Sequence, residues 1–222
     1  EADLFWEKRL WRIIDTREKM NLHFAYPPAP LFDLIKEAAL NGELTLYDPI
    51  DDSFSQPLTD LEGVLFQRDT LQILDPDHLT TSTVIVDNDV SADLIHRFRI
   101  KEHWFFDQAT SSLQVRILGI APIVNVYGEQ GEFRYEKPLF WLYYPELRPL
   151  LARHTVFMPG NDRELLSWAD IFDLRYFSSI IIKEQNRRNT RIQDYLSGMD
   201  QLLEAKQIEE ALFNFEQDLW SY

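Results

Sequence analysis

The strictest constraint in this chain is a period of two in its middle third. His96, Phe98, Ile100, Glu102, Trp104 and Phe106 alternate with Arg97, Arg99, Lys101 and His103; Leu113, Val115 and Ile117 then alternate with Gln114 and Arg116. Side chains two apart share one face of a strand, so the pattern requires two extended segments, and the turn between Asp107 and Ser112 makes them a hairpin. From Leu118 to Val126 the run is almost wholly apolar, as expected of a strand covered on both faces. Gly128 to Gly131 mark another turn and Phe133–Tyr144 reads as a third strand. The fold class is therefore α+β: an antiparallel meander sheet covered by N-terminal and C-terminal helices, in a single domain spanning 1–222.

The expected helices lie on either side. Between Leu4 and Lys19 the apolar Trp6, Leu10, Ile13 and Ile14 are separated by Lys8, Arg9 and Arg12, a pattern read as an amphipathic helix ended at Asn21. Tyr26-Pro27-Pro28-Ala29-Pro30 is a stiff connector, so 1–30 form an extension. Pro30 opens a second helix with the stripe Leu31, Leu34, Ile35, Ala38 and the stop Asn41-Gly42. Glu43–Asp48 reads as a short strand, and Thr59-x-x-Glu62 as a capping box before Leu61, Val64 and Leu65. Pro145 starts a helix carrying Leu147, Leu150 and Leu151, and Ser167-x-x-Asp170 starts another carrying Trp168, Ile171 and Phe172. Phe177–Lys183 is a β-branched run, and Asn189–Leu196 looks helical. The last helix, 199–222, has Ala205, Ile208, Leu212, Phe215 and Leu219 on one stripe.

Charge and composition narrow the function. With 22 Lys and Arg against 37 Asp and Glu, the net charge of −15 has the wrong sign for a phosphate backbone, so no nucleic acid is expected. Residues 33–99 hold four basic and fourteen acidic side chains, 4 − 14 = −10, and this segment is expected to meet a basic surface on a partner. No cysteine is present, which removes disulfides, thiolate metal sites and cysteine nucleophiles. No apolar run has membrane-spanning length, and Glu1-Ala2-Asp3 opens without a leader-like segment, so no direct membrane insertion is expected.

Catalytic patterns are sparse. His23, His78, His96, His103 and His154 form no HExxH, and His96 and His103 fall on opposite faces of one strand. Asp87-Asn88-Asp89-Val90-Ser91-Ala92-Asp93 begins like a calcium loop but has Ala92 where glycine is needed and Phe98 where the bidentate Glu belongs. There is no GxSxG and no phosphate-binding glycine loop. No catalytic, metal or cofactor residue is assigned. A carboxylate-dependent hydrolase and a small-ligand carrier stay open as alternatives, the first on the abundance of acids alone. The aromatic residues are more informative: Trp141, Tyr143 and Tyr144 alternate with Phe140 and Leu142, so one set of rings faces a second layer. Core packing is the expected role, and Trp141, Tyr143, Phe213, Trp220 and Tyr222 are the candidate partner contacts.

Several phrases taken together resemble one family. They are Trp11-Arg12-x-Ile14-Asp15-x-Arg17-Glu18-Lys19-x-Asn21, Trp104-Phe105-Phe106-Asp107, Val115-Arg116-Ile117-Leu118-Gly119-Ile120-Ala121-Pro122, Phe140-Trp141-x-Tyr143-Tyr144-Pro145-Glu146-x-Arg148, Lys183-Glu184-x-Asn186 and Phe213-x-x-Glu216-x-Asp218-Leu219-Trp220-x-Tyr222. In this order they resemble the GldN family, PorN in non-gliding relatives, of the Bacteroidetes type IX secretion system. The resemblance implies a periplasmic, non-enzymatic protein that binds the outer-membrane lipoprotein GldK or PorK. It implies self-association in a ring held to the outer membrane through that lipoprotein, and contact with the periplasmic part of GldM or PorM. It transfers no binding residue.

Overall fold

In a computed structural model, the described residues are 4–26, 29–74, 81–107, 110–128, 130–156 and 166–219, with side chains described for 6–26, 29–66 and from 90 onward within those ranges, save a few near the C-terminus. The chain opens with a strand, β1 (Leu4–Asp15), followed by a 3-10 turn at Lys19–Ala25, helix α1 (Leu31–Leu40) and the short strand β2 (Leu46–Tyr47). Next come α2 (Leu61–Leu65) and the hairpin β3 (Phe66–Leu74) and β4 (Thr81–Asp89). The long pair β5 (Arg97–Asp107) and β6 (Ser112–Tyr127) leads into β7 (Phe133–Pro138), β8 (Trp141–Tyr143) and α3 (Tyr144–Arg153). The remainder is α4 (Trp168–Asp173), β9 (Ile180–Glu184), a 3-10 turn at Ile192–Asp194 and α5 (Met199–Leu219).

The main sheet has seven strands in the order β2-β8-β6-β5-β1-β9, with β7 beside β6, and every pairing in it is antiparallel. The β5-β6-β7 run is the expected meander. The third expected strand is split: β7 ends at Pro138, Leu139 still donates to the Pro122 carbonyl of β6 at 2.9 Å, and β8 begins at Trp141.

The first element is a correction. Leu4–Asp15 is a strand and not an amphipathic helix, and it lies between β5 and β9. Its apolar spacing fits both readings; the sandwiched position decides, because a strand there buries Leu10 and Ile14 on one face and Trp11 on the other. The helices that cover the sheet therefore come from later in the chain. Other departures are local: α2 is capped by Asp60, which accepts from Gly63 N at 2.8 Å, and Asn189–Leu196 contains only the 3-10 turn. At α4 the expected Ser167–Asp170 capping box is present in both directions.

Register assigns the two faces. Leu10, Ile14, Phe98, Ile100, Ile120 and Leu142 point to one side, where α1, α3 and α4 contribute Phe32, Ile35, Leu147, Leu151, Trp168 and Phe172 to a common core. The same side, towards the other end of β1, packs Leu10 and Ile181 against Ala205, Ile208 and Leu212 of α5. Trp11, Asp15, Arg97, Arg99, Lys101 and Ala121 point the opposite way. No described helix contributes to the apolar cluster on that second face, which consists of Trp11, Tyr47, Ala121 and Trp141 with Phe54, Tyr143 and Ile182 packed against them.

Candidate functional site

This second face is cut by a cleft of about 860 Å³. Its floor is Trp11 and Trp141, one wall is the β7 run Phe133–Pro138, another the loop around Ile50–Asp52, and the far side Lys183, Asn189 and Arg191. Six cationic residues line it, Arg97, Arg99, Arg134, Lys137, Lys183 and Arg191, against three acidic ones, Asp51, Asp52 and Glu136, although Lys137, paired with Val124, turns its side chain to the other face. A local excess of positive charge thus sits in a chain of net charge −15.

Alternation on β5 builds its centre. Because Phe98 and Ile100 must enter the core, Arg97, Arg99 and Lys101 are forced onto the other face. Two of the three are neutralised. Arg97 pairs with Asp15 at 3.1 Å and Glu136 at 2.6 Å. Lys101 holds both the carbonyl and the carboxylate of Asp52, at 2.6 and 3.0 Å. Asp52 also accepts from the Trp11 indole at 2.7 Å, so one carboxylate ties the loop to β1 and β5.

Arg99 differs. It is 8% exposed, its Nε has no hydrogen-bond partner, and no carboxylate among the described residues pairs with it. Burial, reinforced by the nearby charge of Arg191, lowers its pKa to about 10, so it stays protonated at neutral pH. Lys183 is also buried, lies 4.0 Å from the centre of the Trp11 ring and donates to the Asn189 side-chain oxygen. Its pKa is lowered chiefly by burial; Asp52 opposes the shift, while Arg191, Lys101 and Arg99 add to it. Arg191 and Lys137 likewise have no ion-pair partner among the described residues. A second, smaller cavity of about 230 Å³ shares Arg97, Arg99, Glu136, Ile182 and Gln193 with the first.

Across the sheet, Glu102 is fully buried between Arg12 at 3.3 Å and Arg175 at 2.8 Å, and Arg12 continues to Glu209 of α5 at 3.1 Å. These ion pairs border a cavity of about 440 Å³ that is also lined by Trp104, Phe177 and Phe213. Among the described residues no group of three or more His, Asp or Glu is placed to hold a metal ion.

The five candidate contact residues separate. Trp141 is 2% exposed, under the Phe54 ring at 6.1 Å. Tyr143 is half-buried, 5.3 Å from the same ring. Phe213 is 58% exposed on α5, away from the Leu212 stripe. Trp220 and Tyr222 lie outside the described residues. The cleft was not among the sequence-derived candidates; its signal was the Arg97-Arg99-Lys101 alternation, and its other half, Lys183 and Arg191, arrives only through the pairing of β9 with β1.

No helix among the described residues is long and apolar enough to cross a membrane. A search of curated proteins finds no match. The model of a family described as gliding motility associated protein GldN matches residues 1–221. That match covers practically the whole chain, through the sheet, the cleft and α5 alike, and the chain therefore belongs to the GldN family, a structural component of the gliding motility and type IX secretion machinery.

Proposed function

We propose that this chain is a non-catalytic subunit of a periplasmic ring, built beneath the outer membrane with a GldK or PorK lipoprotein and touched by the periplasmic part of GldM or PorM. The observation that carries this reading is the family match over residues 1–221. The molecule's surfaces support it. Phe213 is a large exposed ring on a helix whose other side is anchored in the core, and such rings are favoured at protein interfaces. The 860 Å³ cleft lies on the face of the sheet and not between its layers, and it concentrates cations in place of a proton-shuttling carboxylate pair. Trp220 and Tyr222, which follow Phe213 in the sequence, are proposed as part of the same contact, whereas Trp141 and Tyr143 belong to the apolar cluster on the opposite face of the sheet.

The test is co-elution. The purified chain, mixed at micromolar concentration with the lipoprotein, is expected to run as a heteromeric species on size exclusion. Its mass should be a multiple of the pair, with more than about 1,000 Å² buried per contact. Separate peaks for the two proteins would overturn the reading.

A further inference from the structure

The cationic cleft is an expensive feature to leave empty. A buried guanidinium with an unsatisfied Nε loses hydration without recovering it from the protein, and like charges on Arg191, Lys101 and Lys183 crowd the same space. The sheet requires a side chain at position 99 to face this way, but nothing in the sheet requires it to be charged. The arrangement becomes favourable once an anion supplies the missing acceptor.

The geometry points to an anion-recognition site in which Arg99, Arg191 and Lys183 take the carboxylates of an acidic peptide segment of a partner protein. Two observations favour a peptide over a single small anion. The cleft, about 860 Å³ with a 230 Å³ continuation, has the size of sites that enclose ligands much larger than phosphate. Asp52 and Glu136 interrupt its cations, each already holding one, which repels a compact polyanion yet fits a chain whose carboxylates alternate with neutral positions. Phe133, Tyr135 and Ile50 at the rim offer apolar contact to such intervening residues.

This inference stands apart from the ring reading, because it concerns binding by the isolated chain. The probe is hexaglutamate with blocked ends, followed by calorimetry, with hexalysine and inorganic phosphate as comparisons. A net charge of −15 disfavours non-specific binding of hexaglutamate, and the cleft variants show whether what binds does so there. We expect saturable binding at about 20 mM salt that weakens at least tenfold at about 300 mM. Arg99→Gln and Arg191→Glu should each weaken it at least tenfold. Arg191 carries no structural ion pair among the described residues, so if Arg99→Gln lowers the melting temperature, Arg191→Glu decides alone. Absence of saturable binding, or equal affinity in these variants, overturns the site. Phosphate binding as tightly as hexaglutamate, or displacing it completely at equal concentration, overturns the peptide and leaves a small-anion site. If peptide binding fails while lipoprotein co-elution persists, only this inference falls.

Discussion

Asn21 and Ser178, 157 positions apart, hold each other by a reciprocal pair of hydrogen bonds: the Asn21 amide donates to the Ser178 carbonyl at 2.9 Å and accepts the Ser178 N–H at 2.8 Å. A side chain here imitates one rung of a β-ladder. The same amide also donates to the Asp15 carbonyl at 2.9 Å, so the end of β1 and the entry to β9 are joined through one fully buried residue.

Asn21→Ala leaves a backbone donor and two acceptors without that partner inside the protein. We expect a loss of about 3 kcal/mol, the scale of orphaned buried polar groups. Urea unfolding checks it; a change under about 0.5 kcal/mol would refute the clamp.

His23 predicts a pH dependence. Burial against Phe24 and Trp168 lowers its pKa to about 4, with a hydrogen bond to the Met20 backbone opposing the shift. Between that value and the unfolded value near 6.5 the unfolded chain binds the extra proton, so stability falls as pH falls through this window and this contribution levels off below it. The expected loss from pH 7 to pH 5 is about 2 kcal/mol, and His23→Gln should lack that slope. Asp15 acts in a separate range. Its carboxyl is held well below the usual carboxylate pKa, first by the Arg17 side chain, with Arg97 contributing, so its stabilisation is present above about pH 4 and lost below it.

Gly119 should tolerate no side chain. A Cβ there would sit 2.4 Å from the Phe54 ring and 2.9 Å from the Leu142 carbonyl oxygen. Gly119→Ala is expected to cost about 1–3 kcal/mol. In a Phe54→Ala background the cost should shrink without vanishing, because the carbonyl remains. A double-mutant cycle measured by chemical denaturation reads the difference, and strict additivity would contradict the contact.

The ion pairs around Glu102 should be markedly unequal. Arg12→Ala removes one of two cations from a fully buried carboxylate and is expected to cost about 3–5 kcal/mol. Glu209→Ala breaks a pair whose acid is largely exposed and should cost under about 1 kcal/mol. Equal losses would mean that Glu102 is not dependent on Arg12.

Phe213 separates assembly from folding. Phe213→Glu should change stability by less than about 0.5 kcal/mol, as exposed positions do, while abolishing lipoprotein co-elution. Leu212→Glu, one residue away and buried, should unfold the chain. A Phe213→Glu protein that co-elutes as the wild type would remove α5 from the interface.

Much of the fold was legible because its signals are local. The β5–β6 hairpin follows from alternation, α3 from Pro145 at its start, α4 from the Ser167 box, and α5 from the spacing of Ala205, Ile208 and Leu212. The failure at Leu4–Asp15 has the opposite origin. Trp6, Leu10, Ile13 and Ile14 satisfy a helical stripe, and only partners about ninety and one hundred and seventy residues later make the segment a strand. The cleft was hidden for a related reason. Alternation shows that Arg97, Arg99 and Lys101 share a face, but not that this face carries a cleft. Lys183 reaches it through register alone.

The position of β1 has a consequence for biogenesis. A polypeptide emerging N-terminus first releases β1 long before β5, and β9 last of the strands, so the Leu10–Ile13 edge of β1 stays unmated until most of the chain is free. Joining β1 to β9 requires closure of a loop of about 170 residues, a non-local step of the kind that slows folding. Any fragment ending before Ile180 would expose that bare edge as a template for aggregation.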